Sequence, residues 1–363
     1  MSITDIVKLG DDTKKMIMQS PDGVVTSNMV NDALKSSDSF EYKPSFSGSG
    51  FRVDLTNEDG AGYTGTIFIG SNEKPVKVLF DTGSDFLAVT SSLCEDPKLG
   101  KQEERTAVFD SKSLTFKPDS RDLRKCKSEA YNIKESESAK AMGGDDEKLD
   151  YGSAKLQGKL YQDRTCIDGN KTACTDFQFL ALYQAQGLDD TDGVLGLAVH
   201  PDAKRRNLNY VWQLKNSGMI DNALVSFSIS GPNMDDQSYA LFGGINPDQI
   251  VGGTSGLVKM QTMAYRPDWT QSVKQWALEG QTLFYGDQEC QKIGQEKKFP
   301  AIIDTGSSNI GVPEQMYKFL KEKWHTELGS DLDCVTDDNF CQIMTPCDKI
   351  APKLKSLSFQ ISG

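Results

Sequence analysis

The amino-acid sequence predicts a mainly β protein of two lobes with a few short helices, and three observations lead to this prediction. Segments such as FRVDL at 51–55 alternate apolar and polar residues, which is the period of a half-buried strand. The length of 363 residues exceeds the usual size of a single hydrophobic core. The tetrapeptide Asp-Thr-Gly-Ser occurs at 81–84 and again at 304–307, each time after an apolar run. This internal repeat suggests two lobes that each carry one copy.

The first 50 residues are polar and rich in Ser, Asp and Gly. Residues 1–20 are compatible with a short helix, and the residues that follow, up to SGSG at 47–50, are typical of a linker. Strand patterns begin at residue 51 and continue through YTGTIFIG at 63–70 and KPVKVLF at 74–80. We therefore expect the folded part of the chain to begin near residue 51.

A charged, serine-rich stretch at 97–148 interrupts the strand patterns. It is typical of a solvated insertion, and it contains two short strand patterns, AVFD at 107–110 and SLTFK at 113–117. We expect it to form a loop or an added hairpin on the first lobe.

The second half of the chain returns to short apolar segments. The predicted strands are LDYGSAKLQGKLYQD (149–163), FQFLALYQ (177–184), DGVLGLAV (192–199), ALVSFSIS (223–230), SYALFGGI (238–245) and QWALEGQTLFYG (275–286). A helix is predicted over 208–219, ending at Gly218, and an amphipathic helix over 314–328.

Composition narrows the class of function. The chain has 37% apolar and 25% charged residues, as soluble globular proteins do, and no apolar run approaches the roughly 18–20 residues of a membrane span. A net charge of −12 disfavours nucleic acid as a partner. Only two histidines occur, and neither HExxH nor GxSxG is present, so zinc, Ser-His and Cys-His hydrolases are poorly supported. We expect no metal and no cofactor.

Eight cysteines without a CxxC pair indicate disulfide bonds and an oxidising compartment, although reduced cytosolic cysteines remain an alternative. The spacing of Cys166 and Cys174 predicts a hairpin loop closed by a bridge. The first 20 residues lack the apolar core of a signal peptide. Either the chain is cytosolic or the sequence starts after a removed leader.

The repeated tetrapeptide has a chemical rationale. Glycine permits the tight turn that exposes an aspartate at the end of a buried strand. The serine hydroxyl can donate to the carboxylate, and the threonine hydroxyl can bond to the backbone of the opposite loop. Two facing loops place two carboxyl groups in contact, where they hold one proton between them. One group can then activate a water as general base while the other donates to a scissile carbonyl, which hydrolyses a peptide bond without a metal.

These segments resemble the pepsin-type aspartic endopeptidases over about residues 51–363. The resemblance rests on four segments in the family's order: YTGTIFIGSNEKPVKVLFDTGSDFLAV (63–89), DYGS (150–153), DGVLGLAV (192–199) and FGGI (242–245). It implies the bilobal pepsin-like acid protease fold. It also implies an aspartic endopeptidase that acts on protein or peptide substrates and binds pepstatin-like inhibitors.

The resemblance assigns roles to residues of both loops. Asp81 and Asp304 would be the catalytic pair. The supporting residues would be Thr82 and Thr305 for reciprocal hydrogen bonds, Ser84 and Ser307 for holding the carboxylates, and Gly83 and Gly306 for the turns. Tyr151, Gly152 and Ser153 would form the tip of a flap, with Tyr151 closing over substrate. Residues 192–199 would support the first loop through Leu195 and Gly196.

Two departures from the family pattern stand out. Ala88 occupies the place where the family usually carries a tryptophan that packs against the flap tyrosine. Only 59 residues follow Asp304 (363 − 304), whereas the family continues with a further apolar segment and a final strand. We therefore expect the second lobe to be incomplete, as in a fragment or a truncated product.

We expect residues 1–50 to include a pro-segment, residues 51–230 to form the N-terminal lobe, and residues 231–363 to form the truncated C-terminal lobe. Such pro-segments place a basic residue over the catalytic pair, and the candidates are Lys14, Lys15, Lys35 and Lys43. A monomeric zymogen, secreted or located in a lysosome or vacuole, is expected. The alternatives are a catalytically silent peptide- or protein-binding member of the fold and an inactive fragment.

Overall fold

A computed structural model describes residues 3–8, 14–19, 50–58, 62–95, 107–110, 115–118, 126–150, 154–188, 190–198, 208–230, 237–262, 276–290, 299–334, 341–343 and 345–362. Strands predominate in these ranges and the helices are few and short, so the predicted mainly β fold is confirmed.

The strands of the first half of the chain lie mostly where the alternating patterns predict them. In chain order they are β1 (Ile3–Lys8), β2 (Lys14–Gln19), β3 (Phe51–Asp54), β4 (Thr56–Asn57), β5 (Tyr63–Ile69), β6 (Lys74–Asp81), β7 (Leu87–Thr90), β8 (Ala107–Asp110), β9 (Thr115–Pro118), β10 (Lys140–Ala141), β11 (Glu147–Asp150), β12 (Lys155–Cys166), β13 (Cys174–Gln186) and β14 (Gly193–Gly196).

The second half contributes shorter strands and the helices. The strands are β15 (Leu224–Ser228), β16 (Tyr239–Phe242), β17 (Leu257–Gln261), β18 (Ala277–Tyr285), β19 (Gln288–Glu289), β20 (Phe299–Ile302), β21 (Leu332–Cys334), β22 (Cys341–Ile343) and β23 (Leu357–Ser362). The α-helices are α1 (Tyr210–Asn216), α2 (Glu314–Leu328) and α3 (Cys347–Ile350). Short 3-10 turns cover Ser92–Glu95, Ile133–Glu135, Pro247–Gln249, Gly253–Gly256, Gly329–Asp331 and Ala351–Lys353.

Within the described ranges, nine strands form the sheet that carries the first Asp-Thr-Gly-Ser segment. Its order is β10-β12-β13-β7-β14-β6-β5-β4, with β11 paired to β12. A second contact of β12 with β5 joins distant parts of this order. Alternate residues of β5 and β6 face a large core that also contains aromatic side chains from β13 and α1. The sheet therefore wraps around the core that supports the first aspartate.

Two disulfide bonds lie in this part of the protein. Cys166 and Cys174 close the turn between β12 and β13, as predicted from their spacing. Cys94 and Cys126, 32 positions apart, are also bonded. Backbone hydrogen bonds lie close to the second bridge, because the Tyr131 N–H donates to the Thr90 carbonyl at 3.0 Å. Both ends of the stretch between the two cysteines are therefore attached to the first lobe.

The N-terminal residues are described only as backbone, and they form strands. β1 and β2 pair with each other and lie between β17 and β15 in a six-stranded sheet of order β17-β1-β2-β15-β16-β3. The register places Ile3 opposite Gln261. The short helix considered for residues 1–20 is therefore wrong for the described part of that segment, because pairing with distant strands overrides local preference.

A third sheet, with β18 at its centre, carries the second Asp-Thr-Gly-Ser segment. β18 pairs with β19, β20 and β23. Helix α2 packs on this sheet through Met316 and Leu320, which are buried against Leu283 and Tyr285. The predicted helix over 314–328 is confirmed at both ends, and the one predicted over 208–219 is confirmed with ends slightly further in.

The remaining strand predictions and the lobe boundaries have separate outcomes. The two short strands expected in the charged insertion pair with each other as β8 and β9. The division at residues 50 and 230, and the incompleteness of the second lobe, stay predictions. None of the helices in the described ranges has the length and apolar character needed to cross a bilayer.

Candidate active site

The first loop begins where a buried strand ends. Val76, Val78 and Phe80 are fully buried in β6, so this strand runs through the core and delivers Asp81 at its last position. β14 pairs in parallel with β6, with Gly196 opposite Asp81. Pairing with β14 therefore fixes the backbone of β6 up to Asp81, and with it the position from which the carboxyl group extends.

The second loop repeats this construction in the other sheet. β20 pairs with β18, with Ile302 opposite Ala277. One residue further on, the Ile303 N–H donates to the Trp276 carbonyl at 2.9 Å, and Asp304 follows directly. Each aspartate thus stands at the end of a strand that is paired up to the turn.

The two threonines connect the loops through reciprocal hydrogen bonds. The Thr82 N–H donates to Thr305 Oγ1 at 3.1 Å, and the Thr305 N–H donates to Thr82 Oγ1 at 2.9 Å. The Thr82 hydroxyl donates to the Ile303 carbonyl at 2.8 Å, and the Thr305 hydroxyl donates to the Phe80 carbonyl at 2.6 Å. Both side chains are buried, so these four hydrogen bonds are shielded from competing water.

Each glycine of the repeat contacts both aspartates. The Gly83 N–H donates to Asp81 Oδ1 at 2.8 Å, and the Gly306 N–H donates to Asp304 Oδ1 at 2.9 Å. A Cβ atom on Gly83 would lie 2.6 Å from Asp304 Oδ2, and one on Gly306 would lie closer still to Asp81 Oδ1. Only glycine leaves room for the opposite carboxyl group, so the two carboxyl groups approach each other across the loops.

The two serines have different surroundings. The Ser84 hydroxyl is buried and makes no hydrogen bond of good geometry within the described residues, but it lies close enough to Asp81 to lower the pKa of that carboxyl. Ser307 is exposed, and its hydroxyl donates to the Asn309 carbonyl at 3.1 Å. Both serines are expected to hold the carboxylates. The hydroxyl of Ser307 instead bonds a backbone carbonyl.

The pKa of Asp81 is raised from its ordinary value of 3.8 to about 6. Burial is the largest cause, because the charged form loses its hydration, and the neighbouring carboxylate of Asp304 raises the pKa further. The Ser84 hydroxyl and the Gly83 N–H act in the opposite direction and only partly offset the rise. The two carboxyl groups therefore retain a proton at mildly acidic pH.

This shift predicts a pH-dependent stability. Because folding raises the pKa of Asp81 from 3.8 to about 6, its contribution to the free energy of unfolding is complete below pH 3.8 and is lost as the pH rises through 6. The loss amounts to about 3 kcal/mol, at 1.36 kcal/mol for each pKa unit. Urea unfolding between pH 3 and 8 should show this difference between the parent chain and Asp81→Asn.

The exposed Asp176→Asn variant serves as the control, and its unfolding free energy should follow the parent chain across the same pH range. If the free energies of unfolding of the parent chain and Asp81→Asn changed equally between pH 4 and 7, a raised pKa for the Asp81 carboxyl group would be contradicted.

A hairpin approaches the place where the sequence predicts the flap. β11 pairs with the start of β12, with Leu149 opposite Leu156 and Asp150 opposite Lys155. The predicted tip residues, Tyr151, Gly152 and Ser153, lie outside the described residues. Their flanking strands are in the antiparallel arrangement that a flap requires.

Two further predicted features lie near the site or at the N-terminus. Ala88 is fully buried and packs among the leucines of β12 and β13. Of the lysines considered as blocking residues, Lys14 and Lys15 belong to β2, whereas Lys35 and Lys43 lie outside the described residues.

Part of the backbone support of the first loop is not evident from the sequence. The predicted support at Leu195 and Gly196 extends two residues further: the Leu197 N–H donates to the Asp81 carbonyl at 2.8 Å, and the Ala198 N–H donates to the Ser84 carbonyl at 2.7 Å. The indole of Trp276 also reaches this segment from the other sheet. A lone tryptophan at the start of an apolar strand carries no local signal of such a contact.

Among the described residues, one cluster has ligand-type side chains close together, namely Glu73, Cys166 and Cys174. Both cysteines belong to the disulfide at the β12–β13 turn, and Glu73 is paired with Lys171 and Arg164. The disulfide bond and the two ion pairs therefore account for the close approach of these three side chains.

Comparisons with known proteins show which family the sequence resembles. The sequence model of the family described as eukaryotic aspartyl protease matches residues 62–363. Vacuolar protease A of Neurospora crassa is 26% identical over 292 residues, covering 78% of this chain and 62% of that protein. Gastricsin of Callithrix jacchus is 24% identical, covering 84% and 66%, and pepsin-2B of Gadus morhua is 26% identical, covering 85% and 79%. The chain thus spans less than two thirds of the length of the first two relatives.

Proposed function

Since the chain belongs to the eukaryotic aspartyl protease family, we propose that it is an aspartic endopeptidase that uses Asp81 and Asp304 to activate a water molecule. The observation that carries the proposal is the mutual contact of the two loops. Each glycine holds its own aspartate through its N–H and packs against the carboxyl group of the other. Such a pair can act as acid and base toward one substrate.

The chemistry follows from the single proton that two adjacent carboxyl groups share. The ionised group accepts a proton from the water, which attacks the carbonyl carbon of the peptide bond. The protonated group donates to the carbonyl oxygen as negative charge develops there. In the resulting neutral tetrahedral species, the protonated carboxyl group donates its proton to the leaving nitrogen while one hydroxyl of the species gives its proton to the ionised carboxyl group. The C–N bond breaks, and the pair again holds one proton.

The loops are suited to this work because little has to move. The threonine hydrogen bonds are buried and join the backbones on both sides, so the relative position of the two aspartates is set before substrate arrives. In this proposal Tyr151, Gly152 and Ser153 close over a protein or peptide substrate at the tip of the β11–β12 hairpin. The supporting observation is the pairing of the strands that flank them.

A secreted or vacuolar location is part of the proposal. Its support is the names of the relatives, which include vacuolar proteases and gastricsins, and the two disulfide bonds described above, which favour an oxidising compartment. The raised pKa of Asp81 also suits an acidic compartment, because the pair keeps its proton there. We also propose that the chain acts as a monomer and that residues 1–50 include a pro-segment.

Hydrolysis of a denatured protein substrate at pH 3–5, with and without pepstatin, tests the function. Pepstatin carries a hydroxyl that takes the place of the activated water, so tight binding needs both carboxyl groups. We expect cleavage that pepstatin abolishes and that declines as the pH rises above 6, where the pair loses its proton. Titration calorimetry with pepstatin accompanies the assay.

The outcomes separate the alternatives. Pepstatin binding without cleavage would contradict the endopeptidase proposal and favour a silent binding member of the fold. Neither binding nor cleavage would contradict the proposal for this chain. The same assay on a chain extended at its C-terminus would then show whether a fragment had been tested.

A further inference from the structure

One tryptophan is hydrogen-bonded both to the segment that supports the first aspartate loop and to the residue before the second aspartate. Trp276 lies directly before β18 and is 4% exposed. Its indole N–H donates to the Leu197 carbonyl at 3.0 Å, in a fully buried contact between residues that are 79 positions apart. Its own carbonyl accepts from the Ile303 N–H at 2.9 Å. The side chain of Trp276 thus reaches the first loop's support while its backbone holds the second loop.

These contacts close a ring of hydrogen bonds. The Leu197 N–H donates to the Asp81 carbonyl at 2.8 Å, and the Thr82 hydroxyl donates to the Ile303 carbonyl at 2.8 Å. The covalent bond between Asp81 and Thr82 completes the circuit through Leu197, Trp276 and Ile303. Thr82 follows Asp81, Ile303 precedes Asp304 and Leu197 bonds the Asp81 carbonyl, and Trp276 links Leu197 to Ile303.

Four hydrogen bonds form this ring, and two of them use side chains. One of these belongs to Thr82, which also takes part in the threonine network described above. The other is the indole N–H of Trp276, which makes no second hydrogen bond in the described part of the chain. Because the Leu197 carbonyl and the indole N–H are both buried, loss of either partner leaves a polar group without water or protein to bond.

We propose that Trp276 is a positioning residue that sets the separation of Asp81 and Asp304 by linking the support of the first loop to the residue before the second aspartate. This inference rests on the proposed peptidase function. The threonines bond one loop directly to the other. Trp276 instead bonds the segment that supports the first loop, through its side chain, and the residue before the second aspartate, through its carbonyl.

The test removes the indole donor. Trp276→Phe keeps an aromatic ring at the site but lacks the N–H. We expect kcat, per active site counted by pepstatin titration, to fall about 10- to 100-fold, as a displacement of about 1 Å would produce. KM should stay within about threefold, because the substrate-binding surface is not altered. The high-pH limb of the activity profile should move to lower pH, because looser packing admits water and weakens the influence of one carboxyl group on the other.

Trp212→Phe is the matched control. Trp212 lies on α1, is half-buried, packs against a hydrophobic core, and takes no part in the four hydrogen bonds of the ring. Its replacement should leave kcat and the pH profile at the parent values. A Trp276→Phe variant with the parent kcat per titrated site and an unmoved pH limb would overturn the proposal.

Amide hydrogen exchange separates failure of this inference from failure of the proposed function. If the parent chain hydrolyses nothing, the proposed function fails, and exchange then decides on the ring. Trp276→Phe should speed exchange of the Leu197 and Ile303 amides, whereas the Cys290 amide, bonded to the Leu283 carbonyl at 2.8 Å, should be unchanged. Unchanged exchange at all three amides would overturn the inference.

A second variant covers the case in which Trp276→Phe does not fold. The analogue 3-benzothienylalanine at position 276 has the shape of tryptophan and lacks only the N–H. The kcat, pH-profile and hydrogen-exchange measurements are repeated on this variant. The expected outcomes, and the outcomes that would overturn the proposal, are those given for Trp276→Phe.

Discussion

Asp81→Asn and Asp304→Asn are each expected to reduce hydrolysis of a peptide substrate by on the order of 10³- to 10⁴-fold, the upper range for loss of general acid–base catalysis. Asparagine keeps the size of the side chain, and its carbonyl oxygen can still accept from the glycine N–H that now bonds Oδ1 of the aspartate. What is lost is the proton that the pair shares. Without it, one group cannot act as base while the other acts as acid.

The measurement is kcat/KM with a fluorogenic peptide at pH 4, together with the Kd of pepstatin. Both variants should bind pepstatin more weakly, because its hydroxyl contacts both carboxyl groups in this proposal. Asp176→Asn on β13 is the control, since Asp176 is exposed and lies outside the two loops, and it should keep the parent kcat/KM. Residual activity within about tenfold of the parent chain in either loop variant would show that the pair is not the catalytic centre.

Gly83→Ala and Gly306→Ala are the second pair of variants with a large expected effect. The new methyl group of Gly83→Ala would lie 2.6 Å from Oδ2 and 2.7 Å from Cγ of Asp304, closer than real Cβ contacts allow. Gly306→Ala meets the Asp81 carboxyl group in the same way. In each case the opposite carboxyl group or the loop must move, and we expect a loss of at least about 100-fold in kcat/KM.

Gly311→Ala is the matched control, because Gly311 lies in the same segment as Asp304 but a Cβ there meets nothing within 4 Å. Its kcat/KM should equal that of the parent chain. Circular dichroism of all three variants should report a retained β fold, since the nearest atoms to the new methyl groups on Gly83 and Gly306 belong to the opposite aspartates. If Gly83→Ala and Gly306→Ala were as active as Gly311→Ala, the close approach of the two carboxyl groups would be refuted.

The sequence carried the information for elements whose cause is local. Helix α2 could be predicted to the residue because Met316 and Leu320 recur at helical spacing, Pro313 precedes the first turn and Gly329 follows the last. The reciprocal hydrogen bonds of the threonines could also be predicted from the repeated Asp-Thr-Gly-Ser segment. Two loops of the same sequence that face each other present the same donors and acceptors.

Contacts between distant segments that share no repeat could not be predicted. The partner of Cys94 is Cys126, one of seven other cysteines, and spacing alone does not choose among them. The indole of Trp276 meets the Leu197 carbonyl only because two sheets are packed together. The strands β1 and β2 depend on pairing with residues more than 200 positions away, which outweighs any local preference of the first 20 residues.

The departure at Ser307 has a simple physical cause. Repetition of a tetrapeptide predicts the same backbone turn, but the surroundings of each copy differ. Ser84 is buried, whereas Ser307 is exposed and its hydroxyl donates to the Asn309 carbonyl at 3.1 Å. A repeat in sequence therefore predicts backbone geometry better than it predicts the environment of a side chain.

The bridge between Cys94 and Cys126 determines what a break in the chain would do. Any peptide bond cut between these two cysteines leaves the two pieces covalently joined, and the hydrogen bond between Tyr131 and Thr90 keeps their ends in place. A chain nicked between Cys94 and Cys126 would therefore migrate as one molecule until its disulfides are reduced. For a protein proposed to cut peptide bonds, a cut between these two cysteines would thus leave the first aspartate covalently linked to the second.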